Sequence, residues 1–170
     1  EVPFPVLLLR NSVLLITAKQ KQKLEKLNIS ISDLFLKRDA FINKKVRQIS
    51  NIDIDFSSQK ELLQSQFEAL YKLAEDTDKS FLGAVKAQEV KQIKGLEHLE
   101  KRLLKAQKKK LADHVVRITD LQNQLFPNYS LQERNVNFSQ FYVEYGKALI
   151  TTLLSQLEPL KGEFLVVELP

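Results

Sequence analysis

Large apolar residues recur at intervals of seven through the first half of the chain, at Phe35, Ile42, Ile49, Phe56, Leu63 and Leu70. A seven-residue apolar repeat is typical of helices that pack lengthwise on another helix. After a polar stretch at 76–80, an apolar pattern of helical spacing resumes and continues to Phe126 without a proline. The pattern therefore predicts an antiparallel helical hairpin, about 32–75 against about 80–125, interrupted near 51–57.

The second arm of this hairpin could be a single helix. Its apolar positions alternate by three and four from Leu82 to Ala106, and a second series from Leu104 to Leu125 continues one residue out of phase. A shift of this size is typical of a helix that changes its packing partner along its length.

Shorter apolar runs lie near both ends of the chain. Residues 6–9 and 164–169 are mostly apolar, which is typical of strands buried on both faces. Ser12 is expected to cap a helix over 13–27, and apolar residues at helical spacing predict another helix over 138–157. Two short strands do not form a stable sheet alone, so we expect the other strands of an α/β body to precede residue 1.

The sequence thus predicts a mainly α fold with an incomplete α/β body. Residues 1–31 are interpreted as the end of that body, residues 32–126 as a coiled-coil arm, and residues 127–170 as a return segment that packs on the body. An antiparallel hairpin brings the chain back to where it left, so the two end segments can meet.

Composition narrows the classes of protein. The 170 residues include no cysteine, which excludes disulfides, thiolate metal sites and a cysteine nucleophile. Only four glycines and five prolines are present, too few for an all-β sandwich or barrel. The chain begins without methionine, so we expect a piece of a longer polypeptide. No apolar run approaches the roughly 18 residues of a membrane span, so we expect a cytoplasmic protein that has no membrane partner.

Positive charge is concentrated in one segment. Of the net charge of +5, residues 86–110 contribute +6, from nine basic and three acidic side chains. Such a segment could bind a polyanion or an acidic protein. A solvated helix face is the favoured interpretation, because no aromatic residue between Phe81 and Phe126 offers a stacking platform for nucleic-acid bases. A nucleic-acid partner is therefore not expected.

Few residues suit catalysis. The four glycines are too far apart for a phosphate-binding loop. On one helix His98 and His114 would be about 24 Å apart, too far to share a metal. Asp53 and Asp55 could act as an acid–base pair, but stabilising a helix N-terminus is the commoner role of such residues. We expect neither a catalytic residue nor a metal site in this chain.

Two polar clusters remain as a candidate rim of a substrate site, namely Arg10, Asn11 and Ser12, together with Gln132, Glu133 and Arg134. The first cluster follows a predicted strand, and ligands of open α/β sheets bind at the carboxyl ends of strands. The alternative is that Ser12 caps a helix while Arg10 pairs with a carboxylate. The second cluster could bind a ligand or could instead hold the root of the arm in place.

The segment 125–138, which reads LFPNYSLQERNVNF, and the following FYVEYG at 141–146 resemble the bacillithiol biosynthesis cysteine-adding enzyme family. Further similarity lies in Arg10-Asn11-Ser12, in Asp33-Leu34-Phe35 and in the stretch 99–106. The resemblance covers the whole chain and is most specific at 125–146.

The resemblance implies a Rossmann-like catalytic domain with a coiled-coil arm that holds a homodimer together. It also implies the addition of cysteine to glucosaminyl-malate, which is the last step of bacillithiol biosynthesis. This chain would be the carboxyl-terminal part of such a ligase, inactive without the amino-terminal catalytic domain. We expect no cofactor in this part, while the resemblance is compatible with a nucleotide in the full enzyme. The alternative is a non-catalytic arm that binds nucleic acid or a protein through residues 86–110.

Overall fold

The computed structural model describes residues 10–169, without the side chain of Lys79. These residues form two compact units. We call residues 10–42 together with 116–169 the body, and residues 43–115 the arm.

Helices dominate the described residues, which confirms the predicted mainly α fold. Between the two strands β1 (Ser12–Thr17) and β2 (Phe164–Leu169) lie the helices α1 (Ala18–Lys26), α2 (Ile31–Leu34), α3 (Arg38–Ile49), α4 (Ser57–Thr77), α5 (Leu82–Lys110), α6 (Ala112–Leu125), α7 (Gln132–Asn135) and α8 (Phe138–Gln156).

The two strands pair in parallel, with Ser12 opposite Phe164 and Thr17 opposite Leu169. The predicted strand at 164–169 is confirmed, whereas the predicted strand at 6–9 lies outside the described residues. The helix predicted over 13–27 is wrong in its first part, because residues 12–17 are extended. This run is apolar and ends in the β-branched pair Ile16-Thr17, a composition that suits a buried strand.

Helix α1 begins where a reciprocal capping pair forms. The hydroxyl of Thr17 accepts a bond from the backbone N–H of Gln20 (3.2 Å), and the Gln20 side chain accepts the N–H of Thr17 (2.9 Å). This capping box satisfies two backbone donors that the helix would otherwise leave unpaired. The cap is thus Thr17 rather than the predicted Ser12.

The small sheet of the body lies between helices. On one face, Leu15 and Val167 form a buried cluster with Leu149 of α8. On the other face, Ile16 and Val166 line a shallow cleft with Leu24 of α1. Successive side chains of a strand point to opposite faces, so each strand contributes to both clusters. This helix–sheet–helix layering agrees with the α/β character that was predicted for the ends of the chain.

The arm contains an antiparallel pair of helices, α4 and α5. Phe67 and Ala74 of α4 are buried against Val85 of α5. The Tyr71 hydroxyl donates to the Glu89 carboxylate (2.6 Å), and this bond raises the pKa of Tyr71. The predicted antiparallel arrangement of the two arms is confirmed for these helices.

The second arm is not one helix, in contrast to the single helix that the pattern suggested. A turn at Leu111 separates α5 from α6, and the Leu111 N–H still bonds to the Gln107 carbonyl (2.9 Å). The one-residue shift of the apolar pattern lies in the turns just before this break. The shift in the apolar pattern is therefore accompanied by a local break in the helix.

The predicted interruption of the first arm is confirmed at residues 50–56. Asp55 accepts the backbone N–H of Ser57 (2.9 Å) as well as its hydroxyl (2.5 Å), and these bonds lower the pKa of the Asp55 carboxyl. Asp53 in turn accepts the N–H of Asp55 (2.9 Å). Asp55 thus bonds to the first residue of α4, in line with the helix-terminus interpretation, whereas Asp53 bonds to the loop before it.

Candidate functional site

The short helix α7 places the two polar residues of the motif Leu131-Gln132-Glu133 against the free edge of β1. The Gln132 amide oxygen accepts the backbone N–H of Leu15 (2.9 Å), while its amide nitrogen donates to the Leu15 carbonyl (3.0 Å). One side chain therefore makes both of the hydrogen bonds that a neighbouring strand would make to this residue.

Glu133 continues this pairing toward the start of β1. One carboxylate oxygen accepts the backbone N–H of Val13 (2.9 Å), and the other accepts the hydroxyl of Ser12 (3.2 Å). The Arg10 guanidinium lies 3.9 Å from the same carboxylate. The side chains of Gln132 and Glu133 thus pair with the backbone of Val13 and Leu15 at this edge of β1.

A tight turn positions α7 after α6. Asn128 and Tyr129 both adopt positive φ angles (54° and 56°), and the buried Phe126 precedes them. The ring of Phe126 meets Phe35 edge-on, with their centroids 5.0 Å apart, and Phe35 meets Phe164 of β2 in the same way. This aromatic cluster holds the turn beside the sheet.

A cleft of about 440 Å³ opens beside these polar contacts. Its polar rim consists of Arg10, Asn11, Gln132 and Glu133. Its apolar wall consists of Val13, Leu15, Val136, Phe138, Phe141, Leu153, Leu157 and Pro159. An apolar wall with a few polar groups at the mouth is typical of a small-molecule site.

Asn11 contributes a buried rim atom with spare hydrogen-bonding capacity. Its amide nitrogen donates to the carbonyls of Glu158 (3.3 Å) and Glu163 (3.4 Å), which joins the start of β1 to the segment before β2. Its amide oxygen is buried and has no hydrogen-bond partner. A ligand with an N–H or O–H group could satisfy this acceptor.

Five of the six predicted rim residues come together here. Arg10, Asn11, Gln132 and Glu133 line the cleft, and Ser12 contacts Glu133. Arg134 is exposed and does not line the cleft. Their role toward a substrate stays a prediction.

The strand that the first cluster was expected to follow, at 6–9, lies outside the described residues. In the alternative interpretation Ser12 was expected to cap a helix, and this part is wrong because Ser12 begins β1. The alternative that Arg10 pairs with a carboxylate agrees with its position beside Glu133. The apolar wall was not recognised as part of a site, although the helical spacing of residues in 138–157 was the signal available for it.

A separate polar cluster, centred on Glu100, joins helices within the arm. The Glu100 carboxylate pairs with Arg47 of α3 (2.5 Å) and with Lys60 of α4 (2.7 Å). The bonds from Lys60 and Arg47 lower the pKa of Glu100. Arg47 also donates to the carbonyl of Ile54 (2.8 Å), so the cluster includes the break between α3 and α4.

None of the helices within residues 10–169 has both the length and the apolar character needed to cross a membrane.

The fold and the site define a class of protein region in which an antiparallel pair of long helices is inserted, along the chain, between two paired strands of an α/β body. A family model described as "Bacillithiol biosynthesis BshC, C-terminal coiled-coil domain" matches residues 13–169. The chain belongs to this family. The resemblance that the sequence motifs indicated is therefore confirmed.

Similar proteins carry the name "Putative cysteine ligase BshC". The relative from Christiangramia forsetii is 66% identical over 167 residues, which cover 98% of this chain and 31% of the relative. The relative from Flavobacterium johnsoniae is 56% identical over 167 residues, which cover 98% of this chain and 32% of the relative. A more distant relative from Cytophaga hutchinsonii is 28% identical over 144 residues. The chain spans about a third of the length of these relatives.

Proposed function

We propose that this chain is the carboxyl-terminal region of a cytoplasmic ligase that adds cysteine to glucosaminyl-malate in the last step of bacillithiol biosynthesis. The observation that carries the proposal is the family match over 13–169, together with relatives whose names contain cysteine ligase. In this proposal the body supports the substrate site and the arm joins two subunits.

The open edge of the two-stranded sheet supports the proposal that the body is part of a larger domain. Within residues 10–169, β2 pairs only with β1, and the opposite edge of β1 is occupied by Gln132 and Glu133. The remaining edge of β2 is therefore the place where further strands can add. We propose that the preceding part of the polypeptide supplies these strands and the catalytic groups.

The test of the proposed activity uses the full-length gene product with cysteine and glucosaminyl-malate. Product formation, followed by mass spectrometry, is expected for the full chain and not for residues 1–170 alone. A full-length protein that forms no product with these two substrates, with or without added nucleotide, would contradict the proposed reaction.

Arg10→Ala tests the rim in the same assay. Arg10 is largely exposed, and its Glu133 contact is long, so its removal should leave the sheet intact. If the guanidinium contacts a carboxylate of the substrate, KM should rise about tenfold, because a charge-assisted hydrogen bond is lost. Arg117→Ala removes an exposed arginine of α6 that is not part of the cleft and serves as the matched control.

An exposed apolar face on the arm supports the proposed dimer. A groove of about 580 Å³ lies between α4 and α5 and is lined mostly by apolar side chains. Leu70 and Leu73 at its border are 46% and 63% exposed, and Phe81 is 59% exposed. We call this surface the groove face. Exposed apolar surface of this kind marks protein interfaces.

Leu73→Glu tests the proposed dimer. Light scattering of the full-length protein should give the mass of a dimer, and the variant should shift it toward the monomer because a carboxylate is costly to bury. Val90→Glu, at an exposed valine of α5 outside the groove, should leave the mass unchanged. A full-length protein that is monomeric at micromolar concentration would refute the dimer but not the reaction.

A further inference from the structure

The two helices that flank the sheet of the body differ in charge. Helix α1 has five charged side chains among nine residues, whereas α8 has two, Glu144 and Lys147, among nineteen. A helix at a protein surface normally exposes charged and polar residues on the side away from the core. Helix α1 follows this rule, and α8 does not.

The second half of α8 carries four apolar residues along one side, at the helical spacing i, i+3, i+4 and i+7. They are Ile150, Leu153, Leu154 and Leu157, and we call them the α8 stripe. No residue from Ala148 to Leu157 is charged. The sheet itself is covered by a different residue, Leu149, which is fully buried in one cluster with Val167 of β2.

Part of the α8 stripe lines the cleft, and part faces solvent. Leu153 and Leu157 belong to the apolar wall of the cleft. Ile150 and Leu154 do not line it, and their side chains are 38% and 72% exposed. Residues three or four positions apart on a helix are neighbours, so the exposed pair continues the apolar wall beyond the rim of the cleft.

The spacing and the lack of charge indicate what fits the α8 stripe. Apolar residues at i, i+3, i+4 and i+7 form the side of a helix on which a second helix packs. A small molecule in the cleft would contact Leu153 and Leu157 but would leave Leu154 in solvent. A partner held by ion pairs would need charged residues, which this part of α8 lacks. The α8 stripe therefore fits an apolar helix.

The length of the relatives indicates where such a helix comes from. Because the chain covers 31% and 32% of two relatives, about two thirds of each lies outside the match. The matching family model describes a C-terminal domain, so this additional polypeptide precedes the chain. Parallel sheets have helices on both faces. Polypeptide that adds strands at the open edge of β2 would therefore bring helices to the side of the sheet on which α8 lies.

We propose that an apolar helix of the preceding polypeptide packs on the α8 stripe and closes the apolar side of the cleft. This inference rests on the proposal that the chain is the carboxyl-terminal region of a longer protein, but not on the reaction proposed for that protein. The cleft then lies between two parts of one subunit, and such interfaces are common places for small-molecule sites. The charged outward side of α1 stays in solvent.

Thiol labelling of the full-length protein tests whether the α8 stripe is covered. Leu154→Cys and the control Gln22→Cys each place a thiol at a position that is exposed in this chain, on α8 and on α1 respectively. Maleimide labelling is measured at the engineered site by peptide mass spectrometry, in native protein and in urea. Labelling at position 154 should be at least about tenfold slower in the native protein than in urea, whereas at position 22 the two rates should agree within about twofold. Equal native rates at the two positions would overturn the inference.

A photo-cross-link identifies what covers the α8 stripe. A photoreactive phenylalanine analogue replaces Leu154 in the full-length protein, and the irradiated products are separated on a denaturing gel and mapped by mass spectrometry. We expect cross-links within one polypeptide, from position 154 to a segment that precedes the chain. A cross-linked product of twice the mass would assign the α8 stripe to a second copy and would overturn the inference.

Leu154→Ala in the full-length protein gives a further readout. Truncating a leucine that is covered by another helix should lower the melting temperature by about 4 °C or more, whereas truncating a solvent-exposed leucine should change it by less than about 1 °C. Gln22→Ala on α1 is the control. Equal melting temperatures for the two variants would contradict a helix packed on the α8 stripe.

The outcomes separate this inference from the proposed reaction, because labelling, cross-linking and thermal unfolding need no substrate. A full-length protein that forms no product but is protected at position 154 would remove the reaction and leave the packed helix. A full-length protein that forms product but is freely labelled at position 154 would leave the reaction and overturn the packed helix.

Discussion

The side chain of Gln132 has a structural role at the edge of β1. It is 6% exposed, and the oxygen and the nitrogen of its side-chain amide each form a hydrogen bond with the backbone of Leu15. A glutamine in a polar motif would usually be assigned to solvent or to a ligand. Here the buried amide matches the donor and acceptor of one strand residue, which is why the motif lies against β1.

Gln132→Ala should destabilise the body. It leaves a buried N–H and a buried carbonyl of Leu15 without partners, at a cost of roughly 2–4 kcal/mol. Urea unfolding followed by circular dichroism checks this, with Gln156→Ala at an exposed position of α8 as the control. A change below about 0.5 kcal/mol would mean that water replaces the amide.

Glu100 is the second residue with several partners, and its contribution depends on pH. Its ion pairs lower its pKa in the folded state from the ordinary value of 4.5. The stabilisation is therefore complete above about pH 4.5 and is lost as the pH falls further through the lowered pKa.

Glu100→Gln should cost about 1 kcal/mol at neutral pH, as expected for a partly exposed ion-pair network. The difference in unfolding free energy between wild type and variant should shrink in acid, where both side chains are neutral. Glu68→Gln, at an exposed position of α4 outside this ion-pair network, is the control. A difference that stays constant from pH 7 to pH 3 would contradict the ion-pair assignment.

At the scale of elements, local breaks in the backbone change the course of helices. Helix α8 contains a kink at Gly146, whose backbone angles (φ 55°, ψ −140°) are not helical. Only glycine adopts this conformation without strain. The kink lies between Phe141 and Leu149, which contribute to the same apolar cluster on the sheet.

Gly146→Ala should therefore destabilise the body by about 1–3 kcal/mol through backbone strain alone. Beyond the neighbouring residues and the backbone of the helix itself, no atom lies within 4 Å of the position of the new Cβ, so a clash with another part of the protein does not contribute. Gly83→Ala, which lies in a regular helix, should be neutral or slightly stabilising. Thermal unfolding of the two variants separates these effects, and equal melting temperatures would show that α8 straightens without cost.

At the scale of the whole molecule, the basic residues of α5 distinguish the ligase proposal from the alternative of a nucleic-acid or protein-binding arm. Lys101, Lys105 and Lys109 are exposed. As a solvated surface outside the cleft, they are not needed for the proposed reaction.

The triple reversal of these lysines to glutamate should leave product formation by the full-length protein within about twofold of the wild type, because exposed charges contribute little to stability. Binding to duplex DNA at 50 mM and 200 mM salt should be weak for both proteins. Strong wild-type binding that falls steeply with salt and disappears in the variant would favour the alternative instead.

Periodicity alone was sufficient for much of the architecture. The apolar spacing along 32–75 and 80–125 predicted two helical arms, their similar lengths predicted an antiparallel course, and the apolar run at 164–169 predicted β2. The helix-start role favoured for Asp53 and Asp55 is seen for Asp55, which bonds to the first residue of α4. These features depend on contacts within a few residues along the chain, or on one face of an element, and such contacts leave a periodic signal in the sequence.

Only the tertiary structure decided the identity of β1 and the position of Gln132 and Glu133. The run 13–17 suits either a buried helix or a strand, and pairing with β2, about 150 residues away, selects the strand. Likewise, the partners of Gln132 lie 117 residues away in the chain. No local pattern encodes such distant hydrogen bonds, because a strand edge is satisfied by whatever group the fold brings to it.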